Sequence, residues 1–278
     1  MSAGPSPAPP PRPLKRLGQH FLVDPNIARK IVVLAGIRPD ETVIEIGPGR
    51  GVLTRALCER AKRVIAIELD PKLGRYLDET LGGCRNLDLR IGDALDFPYD
   101  RIPQGTVVVA NLPYYVSTPL LFKLLEARDR IDRLVLMLQT EVARRLAAGP
   151  GTRDYGVLSV LTQVAADVAI AFPVAAGCFR PRPEVGSSVV SLTVRKTPAA
   201  AVADDAGFVR AVRAAFAHRR KTLANSLRDE GYPPDRIARA LAEAGIEPSR
   251  RAETVTLQEF AALARALMAA SDRADPGA

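Results

Sequence analysis

Between residues 42 and 138 the chain repeats one pattern: a short apolar, β-branched run, then a helical stretch. The runs are Thr42–Ile46, Val64–Ile67, Leu87–Ile91, Val107–Ala110 and Leu134–Leu138. They are near-continuous in Val, Ile and Leu rather than alternating apolar with polar. Strands of that composition are buried on both faces, and strands alternating with helices build a doubly wound, mostly parallel sheet. Ala165–Ile170 and Ser188–Val194 supply two further strands. Ahead of the sheet, Asp24-Pro25 opens a helix: Asp is a cap and Pro suits the first helical position. Ile27, Ile31, Leu34 and Ala35 share its face, and Gly36 ends it. Thr197–Asp205 is a Pro/Ala-rich linker, after which the strand signal vanishes. The expected organisation is a disordered Pro-rich tail over 1–13, an α/β domain over 14–196 and a small all-helical domain over 206–270. No internal repeat is present.

With 278 residues the chain is long enough for a sizeable core, and 39 basic against 31 acidic residues leave a charge of +8. A surplus of that size favours a polyanionic partner such as nucleic acid. No apolar run approaches the roughly 18 residues of a membrane span. The opening MSAGPSPAPPPRP lacks the apolar region of a secretory signal, so a cytoplasmic, non-membrane protein is expected. Cys58, Cys84 and Cys178 are far apart and only His20 and His218 accompany them, which argues against a metal site or a disulfide framework.

The first strand runs into Glu45-Ile46-Gly47-Pro48-Gly49-Arg50-Gly51. Glycines there permit a sharp turn and a close ligand approach, and the helix that follows presents free N–H groups. The spacing is GxGxG, not the GxGxxG of dinucleotide binders. The second strand ends Glu68-Leu69-Asp70, about 20 residues on, where a carboxylate accepts from ribose hydroxyls. Glu68 is the expected ribose ligand, and Asp70 is the solvated alternative. After the third strand, Asp93 in Gly92-Asp93-Ala94 stands where an adenine amine would be received. Three sites at three successive strand ends line one crevice, and a nucleoside cofactor fits it. A dinucleotide and S-adenosylmethionine are not separated by these residues.

The fourth strand ends Asn111-Leu112-Pro113-Tyr114-Tyr115. Asn111 offers an amide oxygen, Pro113 stiffens the loop and steadies adjacent carbonyls, and Tyr114 offers a flat surface. Together they suit the amino group of a planar base taken out of its stack.

These stretches resemble the ribosomal RNA adenine dimethyltransferase family of class I methyltransferases, and the small-subunit branch in particular. The resemblance rests on Lys15-Arg16-Leu17-Gly18-Gln19-His20-Phe21-Leu22, VIEIGPGRGVLT at 43–54, IELD at 67–70, GDAL at 92–95, NLPYY at 111–115, QTEVARRL at 139–146, CFRPRPEVGSSVV at 178–190 and RRKTLANSL at 219–227. It covers about residues 14–265.

The resemblance implies a Rossmann-like methyltransferase sheet with a C-terminal helical rRNA-binding domain. It implies S-adenosylmethionine held by His20, Leu22, Gly47, Glu68, Asp93 and Asn111. Many relatives carry Asn where this chain has His20. It implies dimethylation of N6 of two adjacent adenines in the hairpin loop near the 3′ end of 16S rRNA, in the small subunit or its precursor, by a monomer that needs no metal. Asn111 with the Leu112 or Pro113 carbonyl would take the two amine hydrogens, and Phe179 would stack on the base opposite Tyr114.

The stretch Arg210–Arg228 carries Arg210, Arg213, Arg219, Arg220, Lys221 and Arg228 and no acid, whereas a solvated face normally interleaves acids. Arg219, Arg220 and Lys221, with Arg144 and Arg145, are the expected RNA contacts, and Thr222 and Asn225 are candidates for phosphate or sugar. Three other readings compete. A related large-subunit methyltransferase shares the core, but the GQxFL entry and RRKTLxNSL segment fit the small-subunit branch. A non-catalytic RNA-binding assembly factor fits poorly with an intact NLPY loop. A cofactor-binding titration would separate an NAD-dependent dehydrogenase.

Overall fold

A computed structural model describes residues 9–14, 17–200 and 205–269. Residues 1–8 of the expected tail, Lys15 and Arg16 of the entry motif, 201–204 of the linker and residue 270 lie outside them. The elements of the α/β part are β1 (Phe21–Leu22), α1 (Pro25–Ala35), β2 (Thr42–Ile46), α2 (Val52–Cys58), β3 (Arg63–Glu68), α3 (Pro71–Leu81), β4 (Leu87–Ile91), β5 (Thr106–Asn111), α4 (Ser117–Glu126) and β6 (Ile131–Gln139). There follow α5 (Thr140–Ala147), α6 (Val157–Ala165), β7 (Ala166–Val174), β8 (Phe179–Arg180) and β9 (Ser187–Val194), then α7 (Asp205–Phe216), α8 (Leu223–Asp229), α9 (Pro234–Glu243) and α10 (Leu257–Ala269).

Seven strands form one sheet in the order β4-β3-β2-β5-β6-β9-β7. β4, β3, β2, β5 and β6 are parallel, and β9 is antiparallel to β6. Val43, Ile44, Val107, Val108 and Val109 are fully buried, the outcome their continuous β-branched runs imply. Strand order reverses between β2 and β5, so a crevice opens beyond the carboxyl ends of β3, β2 and β5. The start of α1 is built as its sequence implies: the Asp24 side chain accepts from Asn26 N–H, Pro25 opens the helix, and Gly36 closes it in the left-handed conformation. Arg133 on β6 fastens this region, bonding to the Glu41 carboxylate and to the Ala35 and Gly36 carbonyls.

Two features were not expected. β1 and β8 form a two-stranded antiparallel sheet, Leu22 opposite Phe179. The chain also divides into two compact units: residues up to Ala143 with Ala169–Val194, and Arg144–Val168 with the residues from Arg195 on. The break expected over 197–205 is therefore joined by an earlier one, because α6 packs with α7 and α10 of the second unit. Within that unit the rings of Tyr155, Phe216 and Phe260 form a chain with centroids 6.0 and 5.6 Å apart, and the Tyr155 hydroxyl donates to the Val255 carbonyl. In the first unit Arg50 donates to the Pro11 carbonyl, so the described part of the proline-rich segment is tied to the glycine loop.

Candidate functional site

The crevice is walled by residues 17–21, floored by Ile46, Gly47, Gly49 and Ile67, and closed by Glu68, Leu69, 92–95 and 111–116. It brings together His20, Gly47, Glu68, Asp93, Asn111, Leu112, Pro113 and Tyr114. Leu22 lies behind it, lining a smaller cavity with Glu45, Gly47 and Asn111.

The floor depends on glycine. Gly49 has φ +58, and a Cβ there would lie 2.8 Å from the Phe21 ring. A side chain is therefore excluded by conformation and by space. The Gly49 N–H donates to Glu68 (3.1 Å), whose other oxygen accepts from Asp70 N–H (2.9 Å). Glu68 is thus held at the cavity wall with lone pairs to spare for a diol. Burial pushes its carboxyl above the usual range, against the lowering by the Asp70 and Gly49 amides. Asp70 instead caps α3, accepting from Lys72 N–H, and does not line the crevice. Of the two carboxylates Glu68 alone lines the crevice, and Asp70, expected to be solvated, is 5% exposed. Asp93 accepts from Leu95 N–H through Oδ1 (2.8 Å), which steadies the carboxylate. Glu45, in β2 two residues before Gly47, is 1% exposed, and among the described residues its Oε2 has no hydrogen-bond partner. Burial, with the Glu68 charge adding, raises its carboxyl to about 8. Glu45 lines the smaller cavity beneath the glycine loop, a place that its position in β2 gives it and that no local sequence signal marks.

Asn111 ends β5. Its Nδ2 donates to the His20 carbonyl (3.0 Å). A carbonyl only accepts, so this bond fixes which end of the amide is nitrogen and leaves Oδ1 as a free acceptor at the wall. The Pro113 carbonyl accepts from Val116 N–H, whereas among the described residues the Leu112 carbonyl has no such partner. Of the two carbonyls expected to meet an amine, Leu112's is the freer. The Tyr114 hydroxyl shares a 2.9 Å hydrogen bond with Ser187, and its ring lies 5.7 Å from the His20 ring, 29° from parallel. Tyr115 is 56% exposed at the same wall.

Phe179 is not brought to the crevice. It is 1% exposed and packs in the core with Leu22, Val174 and Val189. In the β1–β8 pair its side chain faces inward and Arg180 outward, so Phe179 lies in the core here and not at the crevice where it was expected to stack.

In the second unit Arg144, Arg145, Arg210, Arg213, Arg219, Arg220, Lys221 and Arg228 are all exposed. Lys221 is not uncompensated, because it pairs with Asp229, which also lies 3.7 Å from His218. Asp229 stands one residue beyond the acid-free stretch, and α8 carries it back to Lys221. Arg219 donates to the Arg153 carbonyl, and Arg228 to Asn225. Thr222 caps α8. Among the described residues Arg144, Arg145, Arg210, Arg213 and Arg220 have no side-chain partner. Also among them, no group of three or more His, Cys, Asp or Glu gathers to hold a metal ion, and no helix is long and apolar enough to cross a membrane.

A family model for ribosomal RNA adenine dimethylases matches residues 13–268. A ribosomal RNA small subunit methyltransferase A from Moorella thermoacetica is 49% identical over 266 residues, covering 92% of each chain. One from Geobacter metallireducens is 44% identical over 265 residues, covering 93% of this chain and 96% of the relative. Among solved structures, a dimethyladenosine transferase from Plasmodium falciparum matches with TM-score 0.76 at 28% identity, covering 88% of this chain and 96% of that one. The 23S rRNA methyltransferase ErmE matches with TM-score 0.70 at 29% identity, covering 89% and 99%.

Proposed function

The chain belongs to the ribosomal RNA adenine dimethylase family, and from that membership we propose how it works: it transfers methyl groups from S-adenosylmethionine to N6 of two adjacent adenines in the 3′-terminal hairpin loop of 16S rRNA. It acts as a monomer in the cytoplasm on the small subunit or its precursor. The observation that carries the reading is the pair of free acceptors, Asn111 Oδ1 and the Leu112 carbonyl, beside the Tyr114 ring at one cavity wall.

The residues present fit the methyl donor. Glu68 offers acceptors to a ribose diol, Asp93 to an adenine amine, and the orphaned Glu45 oxygen beneath the loop suits a cationic amino-acid end. Leu22, Gly47, Asn111 and the backbone of His20 would complete its holding, the His20 side chain being turned to Pro181. Bound there, S-adenosylmethionine supplies an electrophilic methyl group on a sulfonium.

The chain's own work is on the adenine. Its N6 is a poor nucleophile because the lone pair is delocalised into the ring. Asn111 Oδ1 and the Leu112 carbonyl accept the two N6 hydrogens and draw the nitrogen toward tetrahedral geometry, freeing the lone pair. Extruding the base costs a few kcal/mol, and stacking on Tyr114 returns about 1–3 kcal/mol. Positioning does the rest. N6 sheds its proton after the transfer, so no strong base is needed beforehand. The second methylation leaves one acceptor in use. The helical unit contributes affinity through phosphates, with Arg144, Arg145, Arg219 and Arg220 as its main cations and Lys221 a lesser one.

The test uses labelled methyl donor with small subunits lacking the 3′-end dimethyladenines and, separately, unmodified large-subunit rRNA, with mass spectrometry of the digested RNA. Two methyls on each of the paired 3′-end adenines are expected. Label on large-subunit RNA, or one methyl per base, would overturn the reading.

A further inference from the structure

His20 occupies an unusual junction. Its Nδ1 lies 2.9 Å from the Pro181 carbonyl, its ring lies against Tyr114, and its own carbonyl receives the Asn111 amide. A carbonyl oxygen cannot donate, so Nδ1 carries the proton and is the donor. The contact joins the entry segment to the turn after β8, beside the ladder of Phe21 opposite Arg180 and Leu22 opposite Phe179. Next to it, Val23 N–H donates to the Cys178 carbonyl (2.8 Å). The entry segment is therefore clasped at both ends of β1, and the His20 side chain makes the clasp nearest the crevice.

We propose that His20 is a positioning residue for methyl transfer: its imidazole, anchored on Pro181 and laid against Tyr114, holds the backbone carbonyl that orients Asn111. The inference rests on Asn111 acting on the target amine as set out above. Without the anchor the His20 carbonyl is free to move. The Asn111 amide then rotates, and Oδ1 no longer has a defined place at the wall. Tyr114 keeps its bond to Ser187 at the hydroxyl end but loses the ring that backs it. The role is indirect, since His20 need not touch the base.

Three variants separate the parts. His20→Asn keeps a donor within reach of Pro181 and drops the ring, His20→Phe keeps a ring and drops the donor, and His20→Ala drops both. Each is measured for kcat, for KM toward small subunits, for binding of S-adenosylmethionine by calorimetry and for thermal melting. Loss of position by a fraction of an ångström predicts kcat lower by about 10- to 100-fold in His20→Ala, with KM and cofactor affinity within about threefold. His20→Asn should recover most of the lost kcat, and His20→Phe should stay below it. An unchanged kcat in His20→Ala, or a loss carried wholly by cofactor affinity, would overturn the proposal. Equal losses in His20→Asn and His20→Phe would do the same. If His20→Ala does not fold, the Asn and Phe variants decide alone. Asn111→Ala in the same assay keeps the two readings apart. Full activity there sinks the assignment of Asn111 itself, whereas an inactive Asn111→Ala beside an unaffected His20→Ala sinks only the role of His20.

Discussion

The polar side chains of the crevice and the cations of the helical unit are held in opposite ways. At the crevice each one is already bound by the fold: Asn111 to His20, Glu68 to Gly49 and Asp70, Asp93 to Leu95, Tyr114 to Ser187. In the helical unit Arg144, Arg145 and Arg220 are exposed and, among the described residues, have no side-chain partner. The difference follows from what each surface has to do. Polarising one amine requires acceptors placed before the substrate arrives. Attracting a polyanion requires charge, and mobile guanidinium groups adapt to whatever phosphates they meet.

The comparison breaks most sharply at Asn111. Asn111→Ala should lower kcat by about 100- to 1,000-fold, the scale of losing one preorganised hydrogen-bonding group, while subunit affinity stays within a few-fold. A surviving rate would mean that the crevice is not preorganised for catalysis. Glu68→Ala should weaken binding of S-adenosylmethionine by about 10- to 100-fold, the value of hydrogen bonds to a charged group, without unfolding the protein. Unchanged affinity in a calorimetric titration would remove its assignment to the ribose.

The cation face should respond gradually. Arg220→Ala should reduce the slope of log affinity against log salt by about 0.7–0.9 if Arg220 meets one phosphate. Lys221→Ala should reduce it less, because Asp229 already offsets that charge, and Asp229→Asn should tighten subunit binding. Equal effects of Arg220 and Lys221 would show that the ion pair opens on binding.

The smallest effect concerns stability. The folded state keeps a proton on Glu45 between its ordinary value of 4.5 and about 8, whereas the unfolded chain has released it. Fewer protons bound in the unfolded state means that unfolding free energy falls as pH rises through that window. Glu45→Gln should flatten the decline in melting temperature over this range. The raised carboxyl of Glu68 works in the same sense and leaves a residual slope. An identical pH profile in the variant would mean that Glu45 is ionised in the fold.

Much of the sheet was legible because its signals are local. β2 and β4 have the expected bounds, and β3, β5 and β9 differ by a residue at one or both ends. The caps at Asp24 and Gly36 are readable from neighbours two or three residues away. The glycine loop, Glu68, Asp93 and Asn111 were legible because strand ends in such a sheet converge on one crevice. Other positions were not. Asp70 and Glu68 are two residues apart and chemically alike, and only the cap on α3 separates them. Phe179 reads as an aromatic beside a proline-stiffened turn, and its inward face is set by pairing with Leu22, 157 positions away.

What the sequence determined by itself was the period of each element, the places where backbone had to turn, and the chemistry available at each strand end. Those follow from interactions over a few residues. Tertiary structure alone decided that β1 pairs with β8, that α6 packs in the second unit, that His20 meets Asn111, and that Asp229 neutralises Lys221. Each joins segments whose patterns are equally compatible with other partners, and only closing the whole core selects among them.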